Sequence, residues 1–276
     1  MSVYRGPNSH ADFLSAARSI AGKISRIDGV VGILATGGIG RGYCDFYSDL
    51  DLVVYVRERS MRRVASLIAV GGLRYREIDL DTPVESYERA LRQKSPSRYW
   101  SQVMRWDRAN AIIVFDTTGR LRDLLRQKLV FPDREQRHLL RQHARAVEEH
   151  LIYNFELWRQ RGHVSNLAHA LLEATEHLIL WTYARNRVFQ PDTSKWLFYY
   201  LENGLVPESK YLRVLRRPYV ASIGTVAEAN SIREPLLRLC HRLGVAIEFP
   251  SVAAVREQCK ARWRTIPEAT RHYLSW

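Results

Sequence analysis

The sequence predicts an α/β domain on a mixed sheet, followed by an all-α helical bundle. Two observations carry that expectation. Up to about residue 132, short apolar runs bounded by glycine or proline alternate with amphipathic stretches, the pattern of helices laid over a sheet. From Asp133 onward no strand pattern recurs, and long runs of helical periodicity with short connections take over. The expected domains are therefore 1–132 and 133–276, with Phe131-Pro132-Asp133 as the break.

The elements follow in order. Residues 9–27 set Phe13, Ala17, Ile20, Ile24 and Ile27 at helical spacing, with Asn8 or Ser9 as cap and Asp28-Gly29 as stop. Residues 30–34 read as a short buried strand. Gly37-Gly38 breaks it, because adjacent glycines mark backbone of unusual φ or close approach to another group. A second strand opens with Asp49 and Asp51. Residues 58–70 return to helical periodicity through Met61, Val64, Leu67 and Ile68. Gly71-Gly72 then admits a third strand over 73–81, with Glu77, Asp79 and Asp81 on one face and Ile78 and Leu80 on the other. Pro83 is expected to begin a helix to about residue 93. A fourth strand at 111–115 and a helix at 120–129 complete the first domain. The second domain is expected to hold helices near 134–160, 164–187, 193–203, 207–217, 225–243 and 251–262.

The chemistry concentrates at the second strand. Side chains alternate along a strand, so Asp49 and Asp51 share one face while Leu50, Leu52 and Val54 take the other. Two like charges so close repel, and burying either without a partner is costly. A hard divalent cation resolves that conflict, and oxygen ligands at this spacing suit Mg²⁺.

A glycine turn, a short spacer and Asp-x-Asp on a strand resemble the signature of the DNA polymerase β-like nucleotidyltransferases. Arg41-Gly42 after the turn and Ser48 before the first aspartate are similar to the small bacterial and antibiotic-modifying branch. Gly38 departs from the serine common there. The run from Leu178 through Asn186-Arg187, Pro191 and Lys195-Trp196-Leu197 resembles a stretch linking two bundle helices in that branch, so the likeness covers most of residues 30–200.

The resemblance implies transfer of a nucleoside monophosphate from an NTP, ATP first among them, to a hydroxyl, with pyrophosphate released. Asp49 and Asp51 would hold Mg²⁺, and Gly37 and Gly38 would bring backbone N–H groups to the triphosphate, with Arg41, Ser48 and Lys195 around it. It also implies a third carboxylate on a neighbouring strand, as metal ligand or general base. Spacing does not choose among the acids there. Asp79 has the usual apolar flanks, Glu77 comes next, and Asp81 before Thr82-Pro83 reads as a turn or cap. In some relatives the helical domain donates the base, which makes Glu173 and Glu176 further candidates. The acceptor is expected to be a small molecule, an antibiotic for instance, reached from the cleft between domains. RNA, as in toxin-type relatives, and a non-catalytic nucleotide-binding module are the alternatives.

Composition excludes other classes. No run reaches the ~18 apolar residues of a membrane helix, and Arg5, His10 and Asp12 interrupt any signal-peptide core. Cys44, Cys240 and Cys259 are odd in number and widely spaced, so no disulfide or metal framework is expected and a cytoplasmic protein is. The net charge of +13 is spread evenly: 21 basic against 14 acidic residues in 1–132, and 21 against 15 in 133–276. Such a diffuse field attracts a triphosphate and makes no RNA-binding arm. Neither a Walker A motif nor a dinucleotide-binding glycine pattern is present, and the histidines lack zinc-ligand spacing.

Overall fold

The computed structural model of the chain describes residues 7–70, 80–247 and 257. It forms two compact units, Met1–Glu135 with Arg187–Tyr199, and Gln136–Asn186 with the residues from Tyr200 onward. Periodicity alone divides the sequence at 132/133. The return of 187–199 to the first unit rests on contacts between distant residues: Phe131 stacks on Phe189 at 5.4 Å, Arg187 pairs with Asp133 at 2.6 Å, and Gln190 N–H donates to Gln102 at 3.0 Å.

The first unit begins with α1 (His10–Ile24), whose stripe of Phe13, Ala17, Ile20 and Ile24 is buried as its spacing predicts. Next come β1 (Val30–Ala35), the short α2 (Gly37–Arg41), β2 (Leu50–Val56) and α3 (Met61–Val70). The described chain resumes with β3 (Leu80–Asp81), β4 (Val84–Ser86), α4 (Tyr87–Arg92), α5 (Gln102–Asn110), β5 (Ile112–Phe115) and α6 (Arg120–Lys128).

The sheet runs β3-β2-β1-β5, with β4 also on β2. One edge of β2 is antiparallel to β1, with Val54 opposite Ile33. Its other edge is parallel to both β3, with Leu50 beside Leu80, and β4, with Val54 beside Val84. The register is the same for both, so β3 and β4 are one strand interrupted at Thr82-Pro83, where proline brings no N–H to the ladder. The Val54 N–H still reaches the Pro83 carbonyl at 3.0 Å.

Leu50, Leu52, Val54 and Val56 face a core completed by α1, Val64 and Ile68. Val53 and Tyr55 face the other way, onto Ala90, Trp100, Leu121 and Leu124. Helices thus cover both faces of a mixed sheet, and the near-continuous apolar run of β2 is that of a strand buried on both sides.

Between β1 and α4 two local expectations differ from the outcome, and later the single helices expected at 193–203 and 207–217 are each divided in two. Gly37-Gly38 does more than break β1, because it opens α2. Pro83 starts no helix; the residue before a proline is pushed to extended backbone, Val84 continues the strand, and α4 waits for the Ser86 hydroxyl, which accepts from the Arg89 N–H at 3.1 Å.

In the rest of the chain α7 (Asp133–Glu148) leads through a π-helical turn (Glu149–Asn154) into α8 (Phe155–Arg161) and α9 (Val164–Arg185). Then come α10 (Thr193–Trp196), α11 (Tyr199–Glu202), a 3₁₀ turn (Pro207–Tyr211), α12 (Leu212–Val220) and α13 (Val226–Leu243). Among its described residues the second unit contains helices and connecting turns and no strand. Its central helix α9 buries Leu167, Leu171, Ala174, Leu178 and Ile179 and packs against α8, α12 and α13. The helix expected at 251–262 lies outside the described residues apart from 257. Cys44 and Cys240 are buried free thiols. Among the described residues no helix is long and apolar enough to cross a membrane.

Candidate active site

The site is built where β1 hands the chain to α2 beside the start of β2. The Thr36 N–H donates to the Asp51 carbonyl at 3.0 Å, which ties the two strands together at that end. Gly37 follows with φ of +56°, and a Cβ placed on it would lie 1.7 Å from Asp51 Oδ2. The glycine is therefore required twice, by its backbone conformation and by the carboxylate occupying the space a side chain would need. The Gly38 carbonyl accepts from the Tyr43 N–H at 3.0 Å and holds the turn after α2. Ser48 closes the next turn: its hydroxyl accepts from the Asp45 N–H at 2.9 Å and donates to Asp45 Oδ1 at 3.1 Å. Its contacts are thus those of a residue that shapes the loop delivering Asp49.

Asp49 is exposed and Asp51 half-buried. Asp81 ends β3 directly beside Asp51 in the parallel ladder, and neighbours in register present their side chains to the same face. The expectation of a turn or cap at Asp81 is corrected by that pairing. Glu77 and Asp79 lie outside the described residues. A fourth acid, Asp107 of α5, had no sequence signal, since it sits between Trp106 and Arg108 like any acid on an amphipathic helix. Burial pushes the Asp51 carboxyl up to about 6, with Asp49, then Asp107 and Asp81, acting in the same direction and Arg41 opposing.

Asp107 is held from behind. The buried Arg108 donates to Asp107, to Tyr55 Oη at 3.2 Å and to Glu85 Oε1 at 2.8 Å, and Glu85 also accepts from the Tyr99 hydroxyl. Arg41 lies over two indoles, 4.2 Å from the Trp196 ring centre and 5.5 Å from that of Trp106. Trp106 packs edge-on against Tyr199 at 5.7 Å, and its buried Nε1 has no hydrogen-bond partner among the described residues. Lys195 is exposed on α10 and belongs to the first unit. Glu173 and Glu176 are half-buried on α9 of the second unit.

Asp49, Asp81 and Asp107 place negative charge around Asp51, with Arg41 opposing, and carboxylate oxygens of this kind suit a hard divalent cation such as Mg²⁺. Among the described residues no three of these carboxylates have oxygens within 4.8 Å of one another, so a cation here would have to draw them together.

No family model matches the chain, and no curated protein matches it either. Among solved structures, the crystal structure of a nucleotidyltransferase-like protein from Exiguobacterium sibiricum 255-15 is 16% identical to it, with a TM-score of 0.42. The match covers 83% of this chain and 74% of that one. A likeness of that size is a coarse one.

Proposed function

We propose that the first unit is a Mg²⁺-dependent nucleotidyltransferase that moves a nucleoside monophosphate from an NTP, ATP as first choice, to a hydroxyl of a small molecule. The observation that supports this most is Asp81 in register beside Asp51, two residues along the strand from Asp49, with Asp51 against a glycine that cannot carry a side chain.

In this reading Asp49, Asp51 and Asp81 hold the metal. When bound, divalent ions offset the charge that builds on the attacking and leaving oxygens. Gly37 and Gly38 leave room for the triphosphate to approach the backbone, and Arg41 adds positive charge beside it, kept in place by Trp106 and Trp196. The acceptor oxygen bonds to the α-phosphorus while the α–β bridging P–O bond breaks, and its electron pair leaves with pyrophosphate. Asp81 is assigned to the acceptor side, where it takes the hydroxyl proton. Arg108 keeps Asp107 oriented, so that acid tunes the field.

Incubation of the purified chain with α-labelled NTPs, Mg²⁺ and a panel of hydroxyl acceptors tests the reading. Label transfer with pyrophosphate release, lost in Asp49→Asn and Asp51→Asn, is the expected result. No transfer to any acceptor, together with no Mg²⁺-dependent nucleotide binding by calorimetry, would overturn it. Label appearing on RNA alone would replace the small acceptor by a nucleic acid.

A further inference from the structure

The second unit carries a separate group of ligand-type side chains. His143 lies on α7, His150 in the π-helical turn, and Glu173 and His177 on α9. Glu173 and His177 are four residues apart and therefore neighbours on one helix face. The π turn adds a residue to the helical repeat, an irregularity that is frequent at functional sites. It falls on the stretch that carries His150.

Donor atoms of His150, Glu173 and His177 all lie within 4.8 Å of one another, and the three residues are half-buried. The rings of His150 and His177 stack at 6.0 Å. One nitrogen of each ring already has a partner: His143 Nδ1 lies 3.1 Å from His177 Nδ1, and the Asn154 amide lies 3.3 Å from His150 Nδ1. With Nδ1 so engaged, Nε2 is the nitrogen each ring has left to offer. Outer partners of this kind fix ring orientation at metal centres.

We propose that His150, Glu173 and His177 bind one zinc-class divalent ion in the second unit, with the fourth coordination position open to water. Two imidazoles and a carboxylate suit Zn²⁺ or Co²⁺ and disfavour Mg²⁺, which takes oxygen ligands. Bonds of ~2.0–2.1 Å set neighbouring tetrahedral donors roughly 3.3 Å apart, so rotation of the three side chains closes the site around the ion. His143 is a positioning residue behind His177. Spacing along the sequence concealed the site, because the ligands come from two helical segments and follow no H-E-x-x-H pattern. The site stands independently of the proposed nucleotidyl transfer.

The test strips the full chain with a chelator and titrates it with Zn²⁺ by calorimetry, in excess Mg²⁺ to occupy the aspartates of the first unit. Co²⁺ is titrated in parallel and followed by its visible ligand-field bands. One equivalent with tetrahedral Co²⁺ bands is expected, retained in Asp51→Asn. His150→Ala, His177→Ala and Glu173→Gln should each remove it, and His143→Ala should weaken it by ~10–100-fold without changing the stoichiometry. Glu173→Gln keeps the shape of the side chain, so it decides the matter even if a histidine variant misfolds. No stoichiometric uptake by the wild type, or uptake that survives both Glu173→Gln and His150→Ala, overturns the assignment.

Discussion

At Gly37 a backbone conformation and a carboxylate meet in the same small space. Gly42 has a similar positive φ, +80°, with nothing within 4 Å of a would-be Cβ. Gly37→Ala and Gly42→Ala should therefore both cost the ~1–2 kcal/mol of a left-handed non-glycine residue. Only Gly37→Ala should also displace Asp51, and with it Mg²⁺-dependent nucleotide binding and turnover. Urea titrations paired with nucleotide calorimetry separate the two effects; equal binding losses in both variants would mean that the Asp51 contact is unimportant. A second contrast concerns the third carboxylate. Because Asp81 is in register with Asp51, Asp81→Asn should lower kcat by ~10²–10⁴-fold with the fold intact. Asp79→Asn should fall well short of that, and the reverse order of effects would move the role two residues back along the chain.

The elements that deliver these side chains were legible in the sequence to different degrees. Strands β1 and β2 announce themselves because both are buried on the sheet's two faces, so their apolar runs are nearly unbroken. Helices α1 and α9 are long enough for periodicity to show. Strand β3 is two residues long and ends at Thr82-Pro83, too short to alternate visibly, so only pairing with β2 reveals that Asp81 lies beside Asp51. Asp107 was hidden for another reason: its role depends on α5 lying beside β2, a contact between residues more than fifty apart. Arg108 is the joint between those elements, bonded to Tyr55 of β2, to Glu85 of β4 and to Asp107 of its own helix. Removing its charge leaves Glu85 and Asp107 without their partner in a largely buried place. Arg108→Met is expected to cost ~3–5 kcal/mol in chemical unfolding. Arg108→Lys should recover only part of that, since one ammonium cannot serve three acceptors in the guanidinium geometry. A loss under ~1 kcal/mol for Arg108→Met would show that the network is dispensable.

Across the whole molecule, an acid-rich site sits in a chain with a net charge of +13 and a sequence pI near 9.9. The two facts are compatible because the basic excess is divided almost equally between the halves, while Asp51 and Asp81 of the candidate site lie side by side at one end of β2. In the proposed reaction a triphosphate would be drawn by the diffuse field and then held locally, which needs few phosphate contacts. An RNA acceptor would need many, and each neutralised phosphate steepens the salt dependence: six to ten contacts lose about 10³–10⁵ in affinity between 50 and 200 mM salt. With a small hydroxyl acceptor the proposed reaction should therefore change by less than about tenfold in kcat/KM over that range, most of it through screening of the triphosphate. Measuring kcat/KM for the acceptor at constant Mg²⁺ over a salt series decides the point. A fall of several orders of magnitude would mean that the even spread along the sequence becomes a continuous basic track on the surface, and that the acceptor is a nucleic acid.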